Sequence, residues 1–268
     1  MLKDITLGQY FPGNSIAHKL DPRTKILLVT LYIIALFSAK GWTGYAVMAV
    51  TLAACVKVSH VGLRALVRGL KPLVFIIAFT GILNMFFTPD THYLWEWGIL
   101  RVSVKGIENA LFMVIRIMLL VMGTFLMTYT TSPIRLTDGL ESLLNPLKKI
   151  RVPVHELAMM MAIALRFIPT LIEETDKIMS AQKARGADFD SGNIFQKAKA
   201  LVPILVPLFI SAFRRADELA TAMECRCYHG GEGRTKLHVL KYQRRDYVAL
   251  AGGVVILALV VVLRRLGA

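Results

Sequence analysis

Apolar residues gather along this chain in long runs instead of the single stripes of helices in soluble proteins. Runs at about 26–39, 44–58, 72–87, 110–131 and 247–263 contain almost no charge. A helix that is apolar all round is surrounded by protein or lipid, and about 20 such residues cross a hydrocarbon core. The pattern therefore predicts an all-α integral membrane protein with about five transmembrane helices. The first of them has a clear start at Asp21-Pro22, an N-cap residue followed by proline at the first helical position.

The stretch 132–245 reads differently, mixing apolar and charged residues. Three helices are expected there, at 134–149, 154–185 and 195–228. Pro169 interrupts the second, and Pro203 and Pro207 interrupt the third; proline within a helix kinks it unless neighbours satisfy the freed carbonyls. Both long helices change character along their length. Residues 157–172 are nearly all apolar, with Met159, Met160 and Met161 in a row and a lone Arg166, whereas 173–185 are charged. Residues 201–213 are apolar and 214–226 charged. Each reads as a lever with one greasy end and a tip facing water or a soluble partner. The expected organisation is 1–131 for four transmembrane helices with a cytoplasmic N-terminal segment, 132–245 for a cytoplasmic coupling domain, and 246–268 for the last transmembrane helix.

The two tips end alike. One reads Ala181-Gln182-Lys183-Ala184-Arg185-Gly186, and the other Ala222-Met223-Glu224-Cys225-Arg226-Cys227. A basic residue in a final helical turn complements the macrodipole, and glycine past it stops the helix. That explains one such ending. Two of them, on one apolar chain, point to docking, because a guanidinium forks onto carboxylates with directional bonds.

Composition agrees with a membrane protein. Of 268 residues, 55% are hydrophobic and 19% charged, and the mean hydropathy is +0.56. The net charge of +14 could suggest a nucleic-acid partner, but its distribution argues otherwise. Lys3, Lys19, Arg23 and Lys25 precede the first run, and Lys57, Arg64, Arg68 and Lys71 lie between the second and third with no acid among them. Basic residues concentrate on the cytoplasmic side of membrane proteins, which places the N-terminus and 132–245 in the cytoplasm. No signal peptide is expected, since the first 20 residues hold no apolar core.

Catalytic chemistry is not evident. No GxxxxGK[ST] occurs; Gly230 to Thr235 lacks the lysine and follows a helix. Met159 stands where an HExxH motif beginning at His155 needs its second histidine. Cys225, Cys227, His229 and His238 do not have a usual zinc spacing. No Asp or Glu lies inside the runs, whereas a proton-coupled carrier commonly has acids near mid-membrane. Arg116, in the fourth run, is expected toward its outer side.

These residues resemble the transmembrane (T) component of energy-coupling factor (ECF) transporters, the CbiQ/EcfT family, over essentially the whole chain. The most specific match is the pair of Ala-Arg-Gly-type motifs. Ala184-Arg185-Gly186 is intact; Cys225-Arg226-Cys227 keeps the arginine and replaces both small neighbours. Residues 18–25 (HKLDPRTK) and 164–169 (ALRFIP) also fit the family.

The resemblance implies a non-catalytic scaffold without cofactors, in the cell membrane of a prokaryote. One copy would join two ATP-binding-cassette (ABC) ATPases, docked on the two tips, to a small membrane S component that carries a vitamin or metal ion. The S component would rest on the apolar parts of the long helices, at Met159, Met160, Leu165, Leu205, Leu208 and Phe209. The rival readings are the permease of a conventional ABC importer with its own substrate path, and a membrane-embedded enzyme.

Overall fold

The computed structural model describes residues 10–88, 93–97, 100–187, 189, 193–231 and 239–266. Among the described residues, ten α-helices follow in order: α1 (Ile16–Lys19), α2 (Pro22–Ser38), α3 (Gly41–Ser59), α4 (Leu63–Leu70), α5 (Val74–Phe87), α6 (Val104–Thr130), α7 (Pro133–Leu144), α8 (Val154–Ala184), α9 (Ile194–Glu224) and α10 (Arg244–Arg265). One short antiparallel hairpin, β1 (Tyr93–Trp97) with β2 (Leu100–Ser103), joins α5 to α6. The all-α membrane class expected from the sequence is the observed one, with this hairpin as a small addition.

Among the described residues, six helical stretches are long and apolar enough to cross a membrane: Gly41–Ser59, Leu63–Phe87, Val104–Thr130, Val154–Ala184, Phe195–Glu224 and Arg244–Arg265. The set differs from the five expected runs. Helix α2, at 17 residues, is shorter than the usual span, while α8 and α9 qualify because their charge is confined to one end. The segment read as a loop between the second and third runs contains α4, amphipathic and too short for its periodicity to stand out. Helix α6 begins six residues ahead of its apolar run, because Ser103 caps it by accepting a hydrogen bond from Gly106 N at 2.9 Å.

The chain divides into two compact units, one built from 143–239 and the other from the helices before and after that stretch. In the latter, the N-terminal ends of α2 and α10 are tied together by one buried carboxylate. Asp246 is 1% exposed. Its Oδ2 accepts from Gln243 N at 2.8 Å, completing a capping box for α10. Its Oδ1 accepts from Asp21 N at 2.9 Å. Asp21 in turn is the N-cap of α2, accepting from Arg23 N, as its sequence position predicts. A carboxylate that accepts backbone N–H groups satisfies orphan donors of a helix start and complements its dipole.

From this tie α2 and α10 run in parallel. Gly253 and Leu28 each lie seven residues beyond it, and a Cβ on Gly253 would come within 2.7 Å of Leu28 Cδ2. One turn further along α2, Tyr32 lies so close to Gly123 of α6 that a Cβ there would approach within 2.4 Å, and its hydroxyl donates to Leu119 O at 3.0 Å. Small residues let helix backbones approach where lipid supplies little drive for association.

The end of α6 reaches the same end of the unit. Lys25, just ahead of the apolar run of α2, is buried and donates to Thr130 O at 2.8 Å and Thr131 Oγ1 at 3.0 Å. Burial lowers its ammonium pKa to about 8, the nearby charge of Arg135 adding to the effect and Asp246 opposing it. The core lies between these helices, with Leu36, Met48, Leu66 and Val260 almost wholly enclosed. Helix α5 presents Phe75, Ile76, Phe79 and Ile82 outward, a cost in water but not beside acyl chains.

Arg116 lies 12 residues into the 27-residue α6, nearer the middle than its position in the apolar run suggests. Its Nε and Nη2 donate to Tyr45 Oη at 2.8 and 2.6 Å, and it stands over the Phe37 ring at 5.6 Å. A hydroxyl and aromatic faces thus receive a charge that is costly to bring into a membrane.

In the unit formed by 143–239, α8 and α9 are each 31 residues long and continue through their internal prolines. Asn193 and Gln196 form a capping box at the start of α9. The two helices are joined by a 2.8 Å ion pair between Arg215 Nη2 and Glu174 Oε2.

Replacing Asp246 by Ala leaves the buried amide of Asp21 and the part-buried amide of Gln243 without their acceptor. At 1–3 kcal/mol for a buried group and less for one that water can reach, the loss is expected to be about 1–3 kcal/mol, read as a lower unfolding temperature of the detergent-solubilised chain. Asp246→Asn, which keeps the side chain's shape and one acceptor oxygen, is expected to fall between this variant and the parent.

Candidate docking site at two helix ends

Both tips close with the same backbone turn. In α8, Gly186 N donates to Lys183 O at 3.0 Å and Ala187 N to Gln182 O at 3.0 Å. In α9, Cys227 N donates to Glu224 O at 2.8 Å and Tyr228 N to Met223 O at 3.0 Å. These paired bonds, one spanning five residues and one spanning three, are the Schellman motif. It requires a left-handed residue just past the helix. Gly186 takes that role with φ of +88°, and Cys227 with φ of +54°. Arg185 and Arg226 therefore occupy equivalent places, immediately before the left-handed residue.

The sequence motif thus has a backbone cause. The departure at the second tip, cysteine for glycine, preserves the turn at the expense of a side chain in a conformation that costs an L residue roughly 1–2 kcal/mol. Cys225 and Cys227, both within the helix expected over 195–228, follow its last residue Glu224, Cys225 as the C-cap and Cys227 in the left-handed position. The Cys227 carbonyl meets His229 Nδ1 at 2.8 Å.

All six tip residues, Ala184, Arg185, Gly186, Cys225, Arg226 and Cys227, are exposed. Arg185 and Arg226 are exposed at helix ends where the last carbonyls add partial negative charge. A guanidinium there can take a carboxylate from a partner as a charge-assisted, two-pronged hydrogen bond.

The two tips point apart. A Cβ on Gly231 would meet His155 Cδ2 at 2.3 Å, so the chain leaving α9 lies against the first turn of α8. Five residues separate Gly231 from Arg226, at most about 17 Å of chain. Arg185 lies 30 residues beyond His155 along α8, about 45 Å at 1.5 Å per residue. The arginines therefore stand at opposite ends of an antiparallel pair.

The ion pair joining the helices was not singled out by sequence reasoning. Glu174 and Arg215 each lie 11 residues before the tip arginine of their own helix. Opposite charges at matched distances from matched motifs were the available signal.

The apolar halves carry the residues expected to face a membrane partner. On α9, Leu205 and Phe209 are exposed and one helical turn apart, in line with exposed Val202 and Phe213; Leu208 is half-buried. On α8, Met160 is exposed, and Met159 and Leu165 are half-buried. The six residues thus fall on surface and flank; α9 presents an apolar stripe, and on α8 the exposed Leu157 and Met161 adjoin Met160. Among the described residues, no three His, Cys, Asp or Glu side chains converge as a metal site would require. His238 and residues 232–235 of the phosphate-loop look-alike lie outside the described residues.

Gly186→Val is expected to cost about 1–2 kcal/mol at the α8 end by forcing a β-branched residue into the left-handed region. Hydrogen exchange at the Gly186 and Ala187 amides should speed up accordingly. Cys227→Gly is expected to do the opposite at α9, slowing exchange at the Tyr228 amide.

Comparison with known proteins identifies the architecture. The family model described as "CbiQ: Cobalt transport protein" matches residues 13–237. A protein of Ruminiclostridium cellulolyticum named energy-coupling factor transporter transmembrane protein EcfT is 52% identical over 98% of each chain. The protein of that name from Acidaminococcus fermentans is 56% identical over 98% of this chain and 97% of its own. That of Bacillus subtilis is 46% identical over 98% of this chain and 100% of its own. With a mostly helical, multi-pass apolar body and two matched arginine-capped helix ends, the chain belongs to the CbiQ/EcfT family, the transmembrane components of energy-coupling factor transporters.

Proposed function

We propose that this chain is the coupling scaffold of an ATP-driven importer, joining two ABC ATPases to a small membrane S component that carries a vitamin or a metal ion. The observation that supports this most is the repeated turn at the ends of α8 and α9. Two equivalent exposed arginines at opposite ends of one helix pair suit two ATPase subunits, one per tip, with one copy of the chain per complex. Acidic grooves on the ATPases would receive Arg185 and Arg226. The exposed stripe through Leu205 and Phe209, with Met160 on α8, offers the S component an apolar bed, alongside Met159, Leu165 and Leu208.

In this reading the chain does no chemistry itself. ATP is bound and hydrolysed by the partners, and their movement is carried by α8 and α9 to the S component. The end of the helical bundle holding Lys25, Asp246 and the basic segment 57–71 faces the cytoplasm, in keeping with the distribution of basic residues. The units 143–239 and the membrane helices then correspond in outline to a coupling part and an anchoring part.

Arg185→Glu or Arg226→Glu places an acid opposite an acidic groove, adding repulsion to the lost fork. Each alone is expected to reduce recovery of an ATPase on co-purification by at least tenfold, the equivalent of about 1.4 kcal/mol. The double variant is expected to recover neither ATPase and to abolish uptake. Full recovery with the double variant would remove the docking reading.

The isolated chain is expected to turn over no ATP and to bind no vitamin tightly, both activities arising when ATPases and an S component are added. Tight substrate binding by the chain alone would instead indicate a conventional permease with its own path.

A further inference from the structure

A cavity of about 520 Å³ opens at the corner between α3 and α4, lined by Phe11, Gly13, His18, His60, Gly62 and Ala65 among others. Its wall is built, not incidental. His18 is buried and engaged through both ring nitrogens, with Ser15 Oγ at 2.6 Å and Phe11 O at 2.9 Å. Phe11 N is pinned to Tyr129 O at 3.0 Å. Gly13 lies so close to the His18 ring that a Cβ would stand 2.8 Å from it.

Helix α4 borders this cavity with four distinct faces. At 100° per residue, Leu66 and Leu70 point into the core, where they are 0% and 5% exposed. Leu63 and Val67, next round the helix, are exposed. Arg64, Arg68 and Lys71 follow and are also exposed. Ala65 comes after them and lines the cavity. A band of cations thus separates an outward apolar face from the cavity mouth.

The sequence holds no Asp or Glu between Asp21 and Asp90. The cations of α4 are therefore not matched by acids from the helices on either side of them in the chain. Helix α4 also leads, through a single 3₁₀ turn, into the outward-facing apolar side chains of α5. Leu63, Val67 and Val74 are each exposed on either side of this junction, so cations and apolar side chains adjoin there as they do where headgroups give way to acyl chains.

We propose that this corner is a binding site for an anionic phospholipid, its phosphodiester held at the cavity mouth by Arg64 and Arg68 and its acyl chains laid along Leu63, Val67 and Val74. The basic band gives the charge complementarity, and the adjoining apolar face selects a lipid over a soluble anion. Basic pockets at the cytoplasmic membrane face are suited to such headgroups.

The test uses the full chain in nanodiscs of phosphatidylcholine, with and without phosphatidylglycerol, and native mass spectrometry of lipid retention. At about 1 kcal/mol per basic residue near the surface, Arg64→Gln with Arg68→Gln is expected to weaken retained phosphatidylglycerol about thirtyfold. Gly62→Phe, whose Cβ position has open space around it, fills the cavity and is expected to weaken it without unfolding the chain. Lys148→Gln with Lys149→Gln removes the same charge elsewhere and is expected to leave retention unchanged. Equal loss from both double variants would overturn the site in favour of diffuse surface charge. Unchanged retention in Gly62→Phe would overturn the cavity's role. Competition by inorganic phosphate as effective as by phosphatidylglycerol would overturn the choice of a lipid.

Discussion

The membrane helices depend on one buried carboxylate. Asp246 serves two helix starts at once, those of α2 and α10, which lie more than two hundred residues apart in sequence. Because each start has donors that nothing inside the helix can satisfy, bringing two of them together without an acceptor would be costly. With the acceptor in place, the parallel packing of α2 on α10 follows, down to the approach of Gly253 on Leu28. The last helix is thereby locked to α2.

A second economy governs the same end. Lys25 gives its ammonium to the last carbonyl of α6 and a threonine hydroxyl, where the helix macrodipole is negative. Burial pulls its pKa down, the charge of Arg135 adds to this, and Asp246 only partly compensates. The helix starts thus receive a negative side chain and the helix end a positive one. Arg116 is the contrasting case, a charge near mid-helix met by a tyrosine hydroxyl and ring faces instead of an acid.

Much of this was legible in the sequence. Asp21-Pro22 announced the start of α2 because N-cap chemistry is local. The apolar runs announced α3, α5, α6 and α10 because burial on all sides leaves no polar stripe. The repeated Arg185 and Arg226 announced two similar helix ends, and the backbone supplied the reason they match. What escaped was non-local or short. Helix α4 has only eight residues, too few for its pattern to separate from a loop. Asp246 reads as the first-turn acid of one helix, and nothing nearby in sequence shows that it also caps another. That Cys227 would adopt glycine's conformation could be inferred only by aligning the two tips residue for residue.

The ion pair between Glu174 and Arg215 divides each long helix into a body and an arm. Both arms are 11 residues long, about 16 Å at 1.5 Å per residue. Both begin after the prolines, so each is an uninterrupted segment of helix between the pair and its tip. Equal arms on either side of a common joint make a balanced beam. A rotation of the beam by 10° about the joint would carry each tip by about 3 Å, from the same rise per residue. Because the tips lie on opposite sides of the joint, such a beam leaves the body at rest when both ends are pressed alike and turns it when they are pressed unequally.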